Sequence, residues 1–146
     1  MAFIDEMEAY EFFMNNIGIQ NYSQLLKELV SRVTKPSILI GFSVGATTIW
    51  RISENIDSDL IRHSFCFYSS QIRNYTSVNP CIATEVIFPR LEPKFSVPEI
   101  SGLLAKKKNV KVHTIPYLHG FMNKLSKNFS QDGYREYTKW LGSSIR

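Results

Sequence analysis

The sequence lacks several features that would assign it to whole classes of protein. No apolar run in its 146 residues approaches the roughly 18 that a membrane-spanning helix needs, so we expect no membrane partner. Two cysteines, Cys66 and Cys81, are too few for a disulfide framework. The segment from Met1 to Glu11 carries acids and no basic flank, unlike a secretory signal. These absences predict two free thiols and a cytoplasmic location.

The excess of positive charge is modest and scattered. Lys and Arg exceed Asp and Glu by 17 to 13, a formal net charge of +4, and the basic run Lys106–Lys108 stands where a helix should end. Cations at a helix end complement the helix dipole, so we interpret this run as a solvated helix end. We therefore expect no nucleic-acid partner. The histidines lack the spacing of metal ligands, and no glycine loop carries the lysine of a phosphate-binding loop. We therefore expect no metal and no cofactor.

The sequence does contain the composition of a globular protein. Apolar residues make up 44%, aromatic residues 13% and charged residues 21%. The length predicts that 1–146 form a single domain, with a helical lead-in over 1–35 and the remaining elements over 36–146. In the lead-in, a first helix is interrupted at Gly18, and a second begins through Asn21 or Ser23.

From Pro36 onward, strand-like and helical segments alternate. The spacing of apolar residues predicts strands over 37–41, 63–68, 83–88 and 110–115, and helices over 44–54, 97–104 and 134–141. This alternation predicts an α/β fold, a three-layer sandwich around a short, mainly parallel sheet of about four strands.

The sequence Gly41-Phe-Ser-Val-Gly45 lies between a predicted strand and a predicted helix. This is the context of a nucleophile elbow, in which a sharp turn exposes the serine hydroxyl. The flanking glycines are expected because a side chain at either position would collide with a neighbouring element. The turn would also direct the amide of Val44 toward a developing oxyanion.

A serine nucleophile needs a histidine base and an acid that orients the histidine. His63 and His113 fall in predicted strands, which favours structural roles, whereas His119 follows the fourth strand in a loop. Sites in such folds collect at the carboxyl ends of the strands. Glu92 follows the third strand and is our candidate acid, while a solvated loop glutamate is the other interpretation.

Together these motifs resemble the dienelactone hydrolase group of α/β-hydrolases. The matching segments extend over nearly the whole chain; they are Glu6–Leu29, Gly41–Gly45, Phe67–Tyr68, Val86–Pro98 and Leu118–Phe121. The resemblance implies hydrolysis of a small carboxylic ester or lactone through an acyl-enzyme on Ser43, with His119 as the base and Glu92 as the acid.

The chain departs from this group in three respects. The group proper carries cysteine where this chain has Ser43, and its acid is usually an aspartate in a register that falls near Lys94. Several strands also precede the opening helix in the group, and one of their loops supplies the second oxyanion amide. We therefore expect a truncated α/β-hydrolase fold, with the Val44 amide as the identified oxyanion donor and candidate pocket residues Phe42, Gln71 and Arg73. A surface role is the other interpretation of Gln71 and Arg73.

Such truncation would leave the apolar strand at 38–40 on the edge of the sheet. An apolar edge promotes aggregation unless it is covered or paired. We expect the N-terminal helices to cover it, or the same strand of a second copy to pair with it in a homodimer.

Three interpretations of function stay open at this point. The chain is a serine hydrolase, or a catalytically weak or inactive relative that serves as a binding or assembly module, or a fragment of a complete hydrolase.

Overall fold

The computed structural model describes residues 2–56 and 59–145, which form five α-helices and four β-strands. The helices are α1 (Glu6–Asn16), α2 (Gly18–Ser31), α3 (Val44–Ile52), α4 (Val97–Leu104) and α5 (Gln131–Ser144). The strands are β1 (Ser37–Phe42), β2 (Ile61–Phe67), β3 (Ala83–Pro89) and β4 (Val110–Ile115). None of these helices is long and apolar enough to cross a lipid bilayer.

The four strands form one parallel sheet in the order β1-β2-β3-β4. Each strand pairs with the next one along the chain, and a helix or a long loop provides each return. All four carboxyl ends therefore meet at one edge of the sheet, where ligand sites form in folds of this kind. The predicted α/β fold with a four-stranded parallel sheet is confirmed.

Three helices cover one face of the sheet. Helix α3 packs on the strands, α4 packs beside it, and α2 lies against α3 and reaches β1 through Leu26 and Leu39. The buried residues between these layers are Ala46, Ile49, Trp50, Cys66, Ile72, Val86, Phe88, Val97 and Leu104. Burial raises the pKa of the Cys66 thiol to about 12. Cys81 is exposed, and both cysteines are free.

Helix α5 covers the opposite face. Its residues Tyr137, Trp140 and Leu141 pack against Phe65 and Phe67 of β2 and their neighbours. The Trp140 ring meets the Phe65 ring edge-on at 5.5 Å. The sheet therefore lies between two helical layers, as the three-layer prediction requires.

Polar side chains cap three of the helices. Asp5, Ser96 and Ser130 each accept a hydrogen bond from a backbone amide in the first turn of α1, α4 and α5. The predicted start of α2 at Asn21 or Ser23 is wrong. Helix α2 begins at Gly18, whose φ of +74° lets the chain turn directly out of α1.

Strand β1 lies at one edge of the sheet and, within the described ranges, pairs with β2 alone. Helix α2 covers one face of β1, but Ile40 and Phe42 on the other face remain 40% and 39% exposed. The N-terminal helices therefore cover β1 only in part. Pairing with a second copy stays a prediction.

Candidate active site

Ser43 occupies the turn between β1 and α3 with φ +52° and ψ −118°. A residue with a side chain rarely adopts positive φ, and such outliers persist where surrounding contacts hold them. Here the Ser43 amide donates to the Phe67 carbonyl at 3.0 Å, which ties the turn to the end of β2. The strand–turn–helix geometry of a nucleophile elbow is therefore present.

The two glycines of the elbow differ in the space around them. A Cβ on Gly41 would lie 2.7 Å from the Ala46 nitrogen and 2.7 Å from a methyl group of Ile49. Gly41 therefore lets α3 pass close over β1. Gly45 has no such neighbour within 4 Å, so the prediction that both positions exclude a side chain is wrong for Gly45.

His119 faces the Ser43 hydroxyl across the carboxyl edge of the sheet. The Ser43 Oγ lies 3.2 Å from His119 Nε2, although 76 residues separate them in sequence. The distance lies within the range expected of a nucleophile and its general base. His119 is partly buried, with 28% of its side chain exposed.

The loop that follows β4 holds His119 in this position. Asn128 donates from Nδ2 to the His119 carbonyl at 2.9 Å. Gly120, which follows His119, has φ +83°, and a Cβ on Gly120 would lie 2.5 Å from the Ser126 hydroxyl. A glycine is therefore required at the point where the chain turns away from His119.

Glu92 is the carboxylate that completes the cluster. Its Oε1 lies 2.9 Å from His119 Nδ1, and only 3% of its side chain is exposed. Because a carboxylate only accepts hydrogen bonds, this contact places the proton on Nδ1 and leaves Nε2 free to accept from Ser43. The Arg90 amide donates to the Tyr117 carbonyl at 3.0 Å, which joins the loops carrying Glu92 and His119.

The amide of Val44 is placed at the N-terminus of α3. The first amides of a helix have no partner within the helix, and the helix dipole adds positive potential there. An oxyanion formed on a carbonyl carbon bonded to Ser43 Oγ would therefore find this amide beside it.

His63 and His113 lie away from this cluster, as expected from their positions in strands. Their Nε2 atoms lie 3.1 Å and 2.5 Å from the two oxygens of Glu85. The His113 contact is a hydrogen bond, whereas the His63 geometry does not make one. Among the described residues, no group of three or more His, Cys, Asp or Glu side chains could hold a metal ion.

A cavity of about 680 Å³ opens beside Ser43. Phe42 lines it, but Gln71 and Arg73 do not: Gln71 donates to the Tyr10 hydroxyl at 2.6 Å, and Arg73 bonds to the Ser70 carbonyl. Their assignment as pocket residues is therefore corrected. Both lie in the short helical turn Ser70–Asn74 beyond β2, which directs them to α1 and to their own turn.

The sequence did not single out the other residues that line the cavity. They come from five parts of the chain and are Glu6, Ile40, Tyr68, Met122, Asn123, Tyr134, Thr138 and Leu141. Tyr68 leaves β2 with φ +37°, and its ring lies 5.0 Å from that of His119. Burial and the negative charge of Glu6 raise the pKa of Tyr68, which keeps its hydroxyl protonated.

Known proteins resemble this chain in sequence and in structure. No protein-family profile matches the chain. A protein of Bacillus subtilis (strain 168) with the name "Uncharacterized protein YczH" is 32% identical over 134 residues, which is 87% of this chain and 63% of that protein. The chain therefore spans less than two thirds of the length of this relative.

A solved structure from Pectobacterium atrosepticum, described as a YdeN-like hydrolase, superimposes with a TM-score of 0.53. The superposition covers 66% of this chain and 55% of that one, at 14% sequence identity. Similarity at this level supports a hydrolase-like α/β fold. Function has to be argued from the site itself.

Proposed function

We propose that this chain is a serine hydrolase that cleaves carboxylic esters or lactones through an acyl-enzyme. The proposal is carried by the two contacts of His119, with the Ser43 hydroxyl through Nε2 and with the Glu92 carboxylate through Nδ1. These contacts join a nucleophile, a base and an orienting acid. The positive φ of Ser43 adds to this support, since strained backbone is common at functional sites.

In the first half of the reaction, the Ser43 oxygen bonds to the carbonyl carbon of the ester while His119 Nε2 takes the hydroxyl proton. The carbonyl oxygen becomes an anion that the Val44 amide stabilises. Glu92 stabilises the imidazolium through the Nδ1 proton and is not itself protonated. The proton on Nε2 then passes to the alkoxide as its bond to carbon breaks, which leaves an acyl group on Ser43.

In the second half, His119 takes a proton from water, and the water oxygen attacks the acyl carbon. The bond to Ser43 breaks, the serine recovers its proton from His119, and the carboxylic acid leaves. No step needs an oxidant, a metal or a second substrate other than water.

The cavity supports an ester or lactone of moderate size. Its side chains are mostly apolar, and a volume near 680 Å³ lies within the usual range for small-molecule sites. The resemblance to dienelactone hydrolases points to the same class of reaction.

The decisive experiment compares the wild-type chain with Ser43→Ala. A fluorophosphonate probe should label the wild type and not the variant, and hydrolysis of p-nitrophenyl acetate should fall to the background rate. Ser143→Ala is the matched control, because Ser143 is exposed on α5 and bonds only to the Lys139 carbonyl in the same helix.

Labelling of wild type and Ser143→Ala with no labelling of Ser43→Ala supports the proposal. A folded wild-type protein that neither reacts with the probe nor turns over the ester overturns it. That result would favour the binding or assembly module instead.

A further inference from the structure

The cavity beside Ser43 has an uneven charge. Among its described lining residues, Glu6 is the single ionised side chain, and neither lysine nor arginine contributes. Glu6 belongs to α1, far from the other site residues in sequence. The negative charge on the cavity wall therefore comes from a helix that plays no part in the proposed catalytic chemistry.

Asn123 places the Glu6 carboxylate at the wall of the cavity. Its Nδ2 donates to Glu6 Oε1 at 3.1 Å. A carboxylate has acceptor capacity beyond one hydrogen bond, so the group can still receive a donor from a ligand. The charge acts inside the cavity, because it contributes to the raised pKa of Tyr68.

Three aromatic rings line the same cavity, from Phe42, Tyr68 and Tyr134. The rings of Phe42 and Tyr68 lie 5.8 Å apart at an angle of 42°. Phe42 is 39% exposed and Tyr68 is 3% exposed, so Phe42 supplies most of the ring surface that a ligand can reach there. The face of an aromatic ring carries negative potential and attracts ammonium groups, most strongly where several rings surround the cation.

We propose that this cavity selects esters that carry an ammonium group, with Glu6 and the ring of Phe42 as the cation-recognising elements. This inference rests on the proposed hydrolase function and adds the charge class of the substrate. Rings and a carboxylate together attract a cation, whereas the same carboxylate repels an anionic ester. Glu6 acts here in specificity and does not touch the reacting atoms.

The test uses two esters of nearly equal shape and different charge. Butyrylcholine carries a quaternary nitrogen, and 3,3-dimethylbutyl butyrate carries carbon at that position. Hydrolysis is followed by titration of the acid released, and the readout is the ratio of kcat/KM for the cationic ester to kcat/KM for the neutral one. We expect the wild-type ratio to exceed one at low salt and to fall as salt screens the carboxylate.

Glu6→Gln should lower this ratio about two- to fivefold, the effect of an exposed charge on an ionic contact. Glu11→Gln is the matched control, since Glu11 is an exposed acid on the same helix and does not line the cavity. Glu11→Gln should leave the ratio unchanged. In the Glu6→Gln protein, added salt should also leave the ratio unchanged.

The outcomes separate the inference from the function on which it rests. Hydrolysis of both esters with equal kcat/KM, and the same ratio in wild type and Glu6→Gln, overturns the ammonium selectivity and leaves the hydrolase intact. Absence of Ser43-dependent hydrolysis and labelling overturns the hydrolase and the selectivity with it. A ratio above one that falls in Glu6→Gln and persists in Glu11→Gln supports the inference.

Discussion

The two glycines beside Ser43 have unequal surroundings. A methyl group at Gly41 would press on the backbone of α3, so Gly41→Ala should lower the free energy of unfolding by about 1–3 kcal/mol. Gly45 lies in the first turn of α3 with open space, so Gly45→Ala should raise that free energy by about 0.4–1 kcal/mol. Urea denaturation of the two variants and wild type measures both changes.

The two substitutions are controls for each other, because each adds one methyl group to the same turn. Equal effects of the two on the free energy of unfolding would show that the contacts of Gly41 do not limit the approach of α3 to β1.

The sequence left two interpretations of Glu92, a catalytic acid and a solvated loop glutamate, and its side chain is only 3% exposed. Glu92→Gln keeps the shape of the side chain but removes the charge that stabilises the His119 imidazolium. Without this charge His119 is a poorer general base, so we expect kcat for p-nitrophenyl acetate to fall by about 10²–10⁴, the usual contribution of a general base. Steady-state kinetics measures the loss, and thermal unfolding verifies that the variant is folded.

Glu99→Gln is the control for this variant. Glu99 is exposed in the first turn of α4 and makes no contact with His119. A Glu92→Gln enzyme that keeps the rate of Glu99→Gln would exclude Glu92 from the catalytic cluster.

At the scale of elements, α1 differs from α3. Helix α1 has no buried residue, while six of the nine residues of α3 are buried. Two hydrogen bonds join α1 to the carboxyl edge of the sheet, one between Tyr10 and Gln71 and one between Glu6 and Asn123. Few buried contacts imply a low local free energy of opening. Hydrogen exchange should therefore be faster in α1 than in α3.

Tyr10→Phe removes the hydroxyl that accepts from Gln71, and it should speed exchange in α1 without changing exchange in α3. Tyr22→Phe is the matched control, because Tyr22 meets α1 through its ring, 5.5 Å from Phe13. Exchange in α1 that is as slow as in α3, or that is unaffected by Tyr10→Phe, would contradict this account.

The order and type of elements follow from local patterns and were predictable. Residues 110–115 alternate along the chain, and this segment forms β4 with those bounds. The start of α2 was not predictable from cap residues, because the turn depends on the backbone of Gly18 rather than on a side-chain hydrogen bond. Strand β2 begins at Ile61 instead of His63 because its pairing with Ser37 extends it.

The site was predictable where its residues lie within a few positions of a strand's carboxyl end. Ser43, Glu92 and His119 each come after a strand, and parallel strands bring those positions to one edge. Glu6 gave no such signal, since α1 meets the cavity only through tertiary packing. Gln71 shows the converse: it follows β2 closely, but the short helical turn directs it to Tyr10.

At the scale of the whole molecule, the two faces of the sheet are covered unequally. Three helices lie on one face, whereas α5 lies on the other against β2, β3 and β4. The apolar side chains of β1 on the α5 side are therefore the least covered part of the sheet. The Ser43 amide points toward β2, so the alternation of a strand directs the Ile40 and Phe42 amides away from it.

This uncovered edge gives the prediction of a homodimer its structural basis. Two β1 strands related by a two-fold axis would pair these amides and reduce the exposure of Ile40. We expect the wild type to sediment as a dimer and Ile40→Lys to sediment as a monomer, because a charge at the edge opposes pairing. Leu125→Lys, at a position 87% exposed beyond β4, should stay dimeric. A wild type that sediments as a monomer over a wide concentration range, with rapid exchange of the Ile40 amide, would refute pairing through β1.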